Sequence, residues 1–340
     1  MTTASYERYG LTSNPFRDLS SETLADVEVF HVNLQGDDAL RTIKEEVFEK
    51  ENKAIVAIVG GNGAGKTERL LLAAQEARAR NAFTIYFDIT AKTAWVLKGL
   101  AEEFEKAAKA GGYAKLFSSP AWLRGIHNLQ KVKGATYDPS ATAKAIATAL
   151  NDTAPSFLLL NDLHNLSSSA EVDAFTKTLQ ELADQIKPGV LLMFGCYPVY
   201  LTSITRNRPA LASRINRTFV LPTLTVDEAG LLLAKKLLAK RLVEDLDPLY
   251  PFDREAVAMI NESAYGNPRR LLELADRAIE YGVTHRAYRI DAEAVRAALA
   301  PKTMAEAPAP VVAPAAHAEA PAPAPAAARL SPPTTALSKD

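Results

Sequence analysis

The sequence contains a single cysteine, Cys196, which excludes a disulfide within the chain and predicts a reducing compartment. It has no apolar run approaching the ~18 residues that a membrane-spanning helix needs. Residues 1–7 lack the basic and apolar regions of a signal peptide. We therefore expect a cytoplasmic protein that is not inserted in a membrane.

The chain also has no excess of positive or negative charge, because its 340 residues have a formal net charge of −1. The length suits one α/β domain of ~200 residues with a smaller domain and a tail. From about Pro301 onward the chain consists largely of alanine and proline, with almost no large apolar residue to bury. This composition predicts a disordered tail over residues 301–340.

A glycine-rich loop is the clearest motif. Residues 60–67 read GGNGAGKT, fit the pattern G-x-x-x-x-G-K-[ST], and follow the buried-type strand Ala54–Val59. Glycines allow the backbone N–H groups to turn toward phosphates, Lys66 supplies a charge for the β- and γ-phosphates, and Thr67 offers a hydroxyl to Mg²⁺. The candidate nucleotide contacts here are Gly60, Gly61, Asn62, Gly63, Ala64, Gly65, Lys66, Thr67 and Glu68.

Strand-like runs alternate with helical patterns after this loop. Together with residues 54–59, the runs predict five strands and therefore a parallel sheet covered by helices. The other predicted strands are residues 83–89, 156–160, 190–194 and 218–221.

After Pro222 the pattern becomes helical. A capping box, Thr225 with Glu228, predicts a helix over residues 226–243, and Asp253, Asp291 and Asn267 precede three further predicted helices. We therefore expect an amino-terminal segment over 1–35 leading into the nucleotide site, a core over 36–224 and a small four-helix lid over 225–300.

This arrangement resembles the AAA+ ATPases. Residues 9–16, YGLTSNPF, are similar to the opening of the ExeA and TniB/MuB-like branch, near the origin-recognition ATPases. The resemblance covers about residues 6–300. It implies an ATP hydrolase with a P-loop core that uses ATP and Mg²⁺, an ATP-dependent homo-oligomer in a ring or filament, and a protein partner.

The lid contains GNPRRLL at residues 266–272, which resembles the G-x-P-R sensor of that branch. Pro268 at the first helical position places Arg269 and Arg270 in the first turn, where the helix dipole disfavours cations. A nearby anion would offset that cost. The resemblance assigns Pro268 and Arg269 to the nucleotide and Arg269 to the γ-phosphate, whereas the alternative is that both arginines pair with surface carboxylates.

The acidic motif departs from the family pattern. Related ATPases end the third strand with Asp-Glu, the Asp for the Mg²⁺ shell and the Glu for the attacking water. Residues 157–166 here read FLLLNDLHNL, so Asn161 replaces the Asp and Asp162 replaces the Glu. In the other register, Asp162 is the metal carboxylate and Leu163 takes the catalytic position. Either register predicts slow hydrolysis.

The fourth strand ends in a segment where the family usually has a polar sensor. Here Cys196 is a weak donor and Tyr197 follows it, so the sequence assigns no sensor. The favoured interpretation of Cys196 is a small buried apolar residue.

Two long segments have no acidic residue. One spans 185–226, where residues 211–215, LASRI, resemble the family segment that presents an arginine to a neighbouring subunit. Arg214 is the candidate arginine finger, with Arg217 in reserve, and a solvated or intramolecularly paired arginine is the alternative. The other spans 106–137 and interleaves aromatic residues with its cations. DNA contact and an amphipathic surface are both open interpretations of the second segment. Its basic and aromatic residues are Lys106, Lys109, Lys115, Phe117, Trp122, Arg124, His127, Lys131 and Lys133.

Two functions follow from these features. One is an ATP-dependent assembly factor or DNA-associated regulator, which the basic segments favour. The other is a nucleotide-gated scaffold with little hydrolysis that recruits proteins through its tail, which Asn161 and Asp162 favour.

Overall fold

The computed structural model describes residues 6–17, 32, 45–50, 52–89, 102–103, 106, 138–166, 168–243 and 245–300. The predicted tail and all of the second basic segment except Lys106 lie outside the described residues. Within the described residues, no helix combines the length and hydropathy that crossing a membrane would require.

Strands and helices alternate through the first part of the chain. Strand β1 leads into the glycine-rich loop and helix α1, and each later strand is again followed by a helical segment. The elements are β1 (Ala54–Val59), α1 (Lys66–Ala79), β2 (Phe83–Asp88), α2 (Pro139–Asp152), β3 (Ser156–Asn161), α3 (Ser169–Gln185), β4 (Val190–Cys196), α4 (Pro198–Asn207), α5 (Pro209–Ala212) and β5 (Arg217–Val220).

The strands form one sheet in the order β2-β3-β4-β1-β5, and every pairing is parallel. The predicted five-stranded parallel sheet is confirmed. Parallel strands bring their carboxyl ends to one edge of the sheet, where ligands of such folds bind. The register pairs Asp88 of β2 with Asn161 of β3, and Val59 of β1 with Cys196 of β4, at this edge.

Strands β1, β3 and β4 are buried on both faces, which explains their near-continuous apolar runs, whereas the edge strand β5 is mostly exposed. Alternate residues of β1 point to opposite faces. Ile55 and Val59 join a cluster with residues of α2 and α3, whereas Val56 and Ile58 pack with Leu70 of α1.

A helical lid follows β5. Its helices are α6 (Val226–Leu238), α7 (Arg254–Ala264), α8 (Pro268–Thr284) and α9 (Ala292–Leu299). The predicted capping box of Thr225 and Glu228 is present, and the side chains of Asp253 and Asp291 cap their helices as predicted. The helix predicted to open at Pro268 is also present, and the Asn267 side chain caps it.

The predicted end of the first lid helix at residue 243 is wrong, because α6 ends at Leu238. The backbone groups of residues 240–242 form hydrogen bonds with the amino-terminal segment instead. Thr12 N–H donates to Lys240 O (2.9 Å), and Leu242 N–H donates to Gly10 O (2.7 Å). A backbone paired with another segment of chain cannot continue its helical ladder.

Residues 6–17 pack on the lid. Tyr9, Leu11 and Phe16 are fully buried in the same cluster as the lid helices. The Asn14 side chain donates to Asp276 (2.7 Å) and to Glu280 (2.9 Å), both on α8. The YGLTSNPF motif therefore anchors the chain to the helix that begins with Pro268.

Candidate nucleotide-binding site

The glycine-rich loop lies between the carboxyl end of β1 and the first residue of α1. Gly63 and Gly65 have φ values of 73° and 94°, which only glycine adopts without strain. Because Gly65 is the residue before α1, the loop delivers the helix N-terminus, with its unpaired N–H groups, to the edge of the sheet. The predicted strand, loop and helix are all present.

Lys66 is the first residue of α1 and only 6% exposed. Its ammonium donates to the carbonyls of Gly60 (3.1 Å) and Gly61 (2.9 Å) and lies 4.6 Å from the centre of the Tyr197 ring. Burial lowers the pKa of Lys66, and the carboxylate of Asp162 acts in the opposite direction. The lysine is therefore held inside the loop, where a phosphate would be an additional acceptor.

Thr67, Asn161 and Asp88 form a row at the carboxyl edge of the sheet. Asn161, the last residue of β3, is 3% exposed and donates from Nδ2 to Thr67 Oγ1 (3.1 Å) and to Asp88 Oδ1 (2.8 Å). Tyr86 donates its hydroxyl to the same Asp88 oxygen (2.9 Å). Asn161, rather than Asp162, is the residue that contacts the threonine of the loop.

Asp162 leaves the line of the strand, since its φ is 56° in the left-handed region. Its carboxylate lies 3.8 Å from His164 Nδ1. The His164 ring stacks on Tyr197, with centroids 3.7 Å apart, and burial lowers the pKa of this histidine. A neutral imidazole, a phenol ring and a carboxylate thus lie next to the Lys66 side chain.

Cys196 is fully buried at the end of β4, and its burial raises the pKa of the thiol to about 12. It is a neutral apolar-type residue, in agreement with the favoured interpretation. Tyr197, the residue after it, is the one that contacts Lys66.

The start of α8 rests on the loop. Asn267 donates from Nδ2 to Asn62 O (2.7 Å), and the Arg269 N–H donates to Gly63 O (3.3 Å). A Cβ atom added at Gly63 would lie 2.5 Å from Cβ of Arg269, so only glycine permits this approach. The structure therefore brings Pro268 and Arg269 to the loop, and their contact with a nucleotide stays a prediction.

A cleft of about 680 Å³ lies between the loop and the lid, within the range of ordinary ligand pockets. Asn62 and Ala64 line it from the loop, Pro222 from the connection to the lid, and Arg269 and Arg277 from α8. Arg270 also lines the cleft, and its guanidinium lies 5.2 Å from the centre of the Tyr265 ring, which is a lining residue as well.

The remaining predicted site residues lie in other places. Glu68, in the first turn of α1, pairs with Arg69 (3.2 Å). Arg214 forms an ion pair with Asp184 of α3, with Nη2 2.9 Å from Oδ2, and Arg217 pairs with Glu46. The described structure thus shows the intramolecular alternative for both arginine candidates.

The first basic segment is also partly neutralised by acids from elsewhere in the chain. Besides the pairs of Arg214 and Arg217, Arg208 bonds to Asp173 of α3 (2.5 Å). An acid-free stretch of sequence therefore does not correspond to an uncompensated basic surface here, because the partners come from distant segments.

The sequence analysis did not identify Asp88 or His164 as site residues. It also did not predict that Asn267 contacts the loop. Asp88 carried a usable signal, because it ends a predicted strand that belongs beside β3 in a parallel sheet. The place of His164 in the site depends on the turn after β3, and that of Asn267 depends on the position of the lid. No local sequence pattern specifies either.

Comparison with known proteins agrees with this fold. Residues 49–202 match the model of the AAA domain family. No curated protein matches the chain. Among solved structures, Cdc6p from Pyrobaculum aerophilum is similar, with a TM-score of 0.54 at 14% identity, covering 82% of this chain and 69% of that one.

Two proteins from Aeropyrum pernix are also similar. Orc1, solved in complex with DNA, has a TM-score of 0.51 at 16% identity, covering 78% of this chain and 65% of that one. The ORC2 protein, solved in ADPNP–ADP complexes, has a TM-score of 0.50 at 15% identity, covering 80% and 70%.

A P-loop at the edge of a five-stranded parallel sheet, with a helical lid beside it, defines the class as a P-loop nucleotide-binding protein. Residues 49–202 therefore match an AAA domain, and the fold of the chain is shared with the Cdc6p and Orc1 structures.

Proposed function

We propose that this chain binds Mg·ATP between the glycine-rich loop and the lid and hydrolyses it slowly. The observation that carries the proposal is the contact of α8 with the loop through Asn267 and Arg269. It puts the lid arginine, Arg269, in the lining of the cleft beside the loop, whose lysine, Lys66, is bonded to the carbonyls of Gly60 and Gly61. A phosphate bound at the loop would meet one cation from the loop and one from the lid, which suits a triphosphate better than a neutral ligand.

The residues beside the loop fit Mg²⁺. Mg²⁺ prefers oxygen ligands and usually takes one or two from protein, keeping several waters and binding phosphate oxygens. The Thr67 hydroxyl and the Asn161 amide oxygen, 3.4 Å apart, are such ligands, and the carboxylate of Asp162 is the other candidate. Bound there, Mg²⁺ would neutralise charge on the β- and γ-phosphates.

Slow hydrolysis follows from the side chains at the end of β3. Asn161 orients groups by hydrogen bonds but supplies no negative charge. Asp162 is the candidate for polarising the attacking water, and it reaches one methylene less far than the glutamate of related proteins. The Tyr197 ring, on which His164 stacks, lies against Lys66 on this side of the site.

We further propose that the ATP state self-associates, in a ring or filament, and acts on a protein partner as a regulator or assembly factor. Residues 36–224 would form the core and 225–300 the lid that reports the nucleotide. Arg214 is the candidate that completes a neighbour's site. It lies before β5 and is held by Asp184, so it would exchange an intramolecular carboxylate for a neighbour's γ-phosphate.

The scaffold remains the second candidate, favoured by the neutral Asn161. A turnover assay with and without duplex DNA separates the two. We expect a rate well below the ~1–100 s⁻¹ of kinases, and a regulator that resembles Orc1 in its ligand should be stimulated by DNA. Binding of ATP without turnover under either condition would favour the scaffold, and rapid turnover would contradict our interpretation of Asn161.

Arg269 should distinguish ATP from ADP. Arg269→Ala is expected to weaken ATP binding about tenfold, as for loss of one charged hydrogen bond of about 1.5 kcal/mol, and to leave ADP binding nearly unchanged. Arg254→Ala is the matched control, since Arg254 is an exposed arginine of the lid that pairs with Asp227 and does not line the cleft. Calorimetric titration with both nucleotides measures the difference. Equal losses for ATP and ADP would remove Arg269 from the γ-phosphate.

A further inference from the structure

In the row formed by Thr67, Asn161 and Asp88, the carboxylate of Asp88 lies next to Asn161, the residue that replaces the aspartate of related ATPases. Asp88 lies opposite Asn161 in the parallel register of β2 and β3, and the two side chains are hydrogen-bonded at 2.8 Å. Asn161 in turn contacts the loop threonine at 3.1 Å. A single amide therefore connects Thr67 to the charge of Asp88.

The hydrogen bonds also orient that amide. A carboxylate only accepts, so the Asp88 oxygen requires the Nδ2 side of Asn161 and not its Oδ1. The Tyr86 hydroxyl, donating to the same Asp88 oxygen at 2.9 Å, restrains the carboxylate from the other side. Asp88 thus sets the direction in which Asn161 presents its own oxygen.

The distances keep the charge close to the candidate metal position. The two bonds of 2.8 and 3.1 Å, laid end to end, put the Asp88 oxygen at most about 6 Å from Thr67 Oγ1, a separation at which opposite charges still interact appreciably. Mg²⁺ keeps several of its waters in protein sites. A carboxylate one shell away accepts hydrogen bonds from such waters and tunes metal affinity.

We propose that Asp88 supplies the carboxylate that holds the hydrated Mg²⁺ of the nucleotide in this protein, with Asn161 as the neutral positioning residue between Asp88 and Thr67. The inference rests on the proposed function, because it concerns the same Mg·ATP site. The negative charge that Asn161 does not supply at the end of β3 would come from Asp88 at the end of β2.

The test is the gain in nucleotide affinity that Mg²⁺ produces. Binding of a fluorescent ATP analogue is titrated with excess EDTA and with excess Mg²⁺ for each variant. Asp88→Asn is expected to reduce the Mg²⁺-dependent gain about tenfold, the scale of outer-shell substitutions, with EDTA affinity unchanged. The swap Asp88→Asn with Asn161→Asp returns a carboxylate to the row and should restore the gain.

The control is Asp152→Asn, an exposed residue that ends α2 beside the amino end of β3, away from the loop. It should leave both affinities unchanged. Circular dichroism melts check folding, and if Asp88→Asn is unfolded, the swap variant and Asp88→Glu carry the comparison, each with an expected gain near that of the original protein.

The outcomes distinguish a failure of the role of Asp88 from a failure of the proposed Mg·ATP binding. If the original protein gains affinity from Mg²⁺ and Asp88→Asn gains as much, the role of Asp88 is wrong and the proposed function stands. If the swap fails to restore the gain, the charge of the row is not what matters and the inference is likewise overturned. If the original protein binds no analogue with Mg²⁺, the proposed function fails and the inference with it.

Discussion

Lys66→Ala is expected to weaken ATP binding at least about tenfold, or on the order of 1.4 kcal/mol. The ammonium is held inside the glycine-rich loop by the carbonyls of Gly60 and Gly61 and by the Tyr197 ring. It is therefore positioned before any ligand arrives, so its charge acts on a phosphate without further ordering of the side chain.

Lys144→Ala is the matched control, because Lys144 is an exposed lysine on α2. It should bind ATP as the original protein does. Calorimetry gives both affinities, and a thermal melt shows whether the variants are folded. An unchanged ATP affinity in folded Lys66→Ala would contradict the assignment of this loop to phosphates.

Arg214→Ala is expected to abolish ATP-dependent self-association. A slowly cleaved ATP analogue should raise the sedimentation coefficient of the original protein, whereas ADP should not, because an arginine supplied in trans links assembly to the γ-phosphate. In the structure Asp184 competes for this arginine. Asp184→Asn should therefore lower the protein concentration at which the analogue produces assembly.

The opposite effects of these two variants make the test specific. Arg254→Ala is the control, since Arg254 forms a surface ion pair with Asp227 in the lid, and both side chains are 80% exposed. It should assemble normally. A protein that stays monomeric with every nucleotide at micromolar concentration would contradict self-association, and normal assembly of Arg214→Ala would remove its role as the finger.

The elements that the sequence could predict are those with local causes. The glycine-rich loop, the strand before it and the helix after it follow from residue types within fourteen positions, 54–67. The caps of the lid helices are similarly local, because Thr225, Asp253, Asn267 and Asp291 each bond to a backbone N–H within three residues.

What the sequence could not predict depends on distant segments. The early end of α6 follows from backbone pairing with Gly10 and Thr12, over 200 residues away. The pair of Arg214 with Asp184 and the bond of Asn161 with Asp88 likewise join residues on different elements. Charge in a stretch of sequence says little about charge on a surface when such partners are supplied by neighbouring strands and helices.

The most direct measurement of the central claim is a calorimetric titration of the original protein with ATP in the presence and absence of Mg²⁺. The account predicts saturable binding of one ATP per chain, tighter with Mg²⁺, through the cleft between the loop and α8. Absence of ATP binding by the folded protein, with Mg²⁺ present, would contradict it.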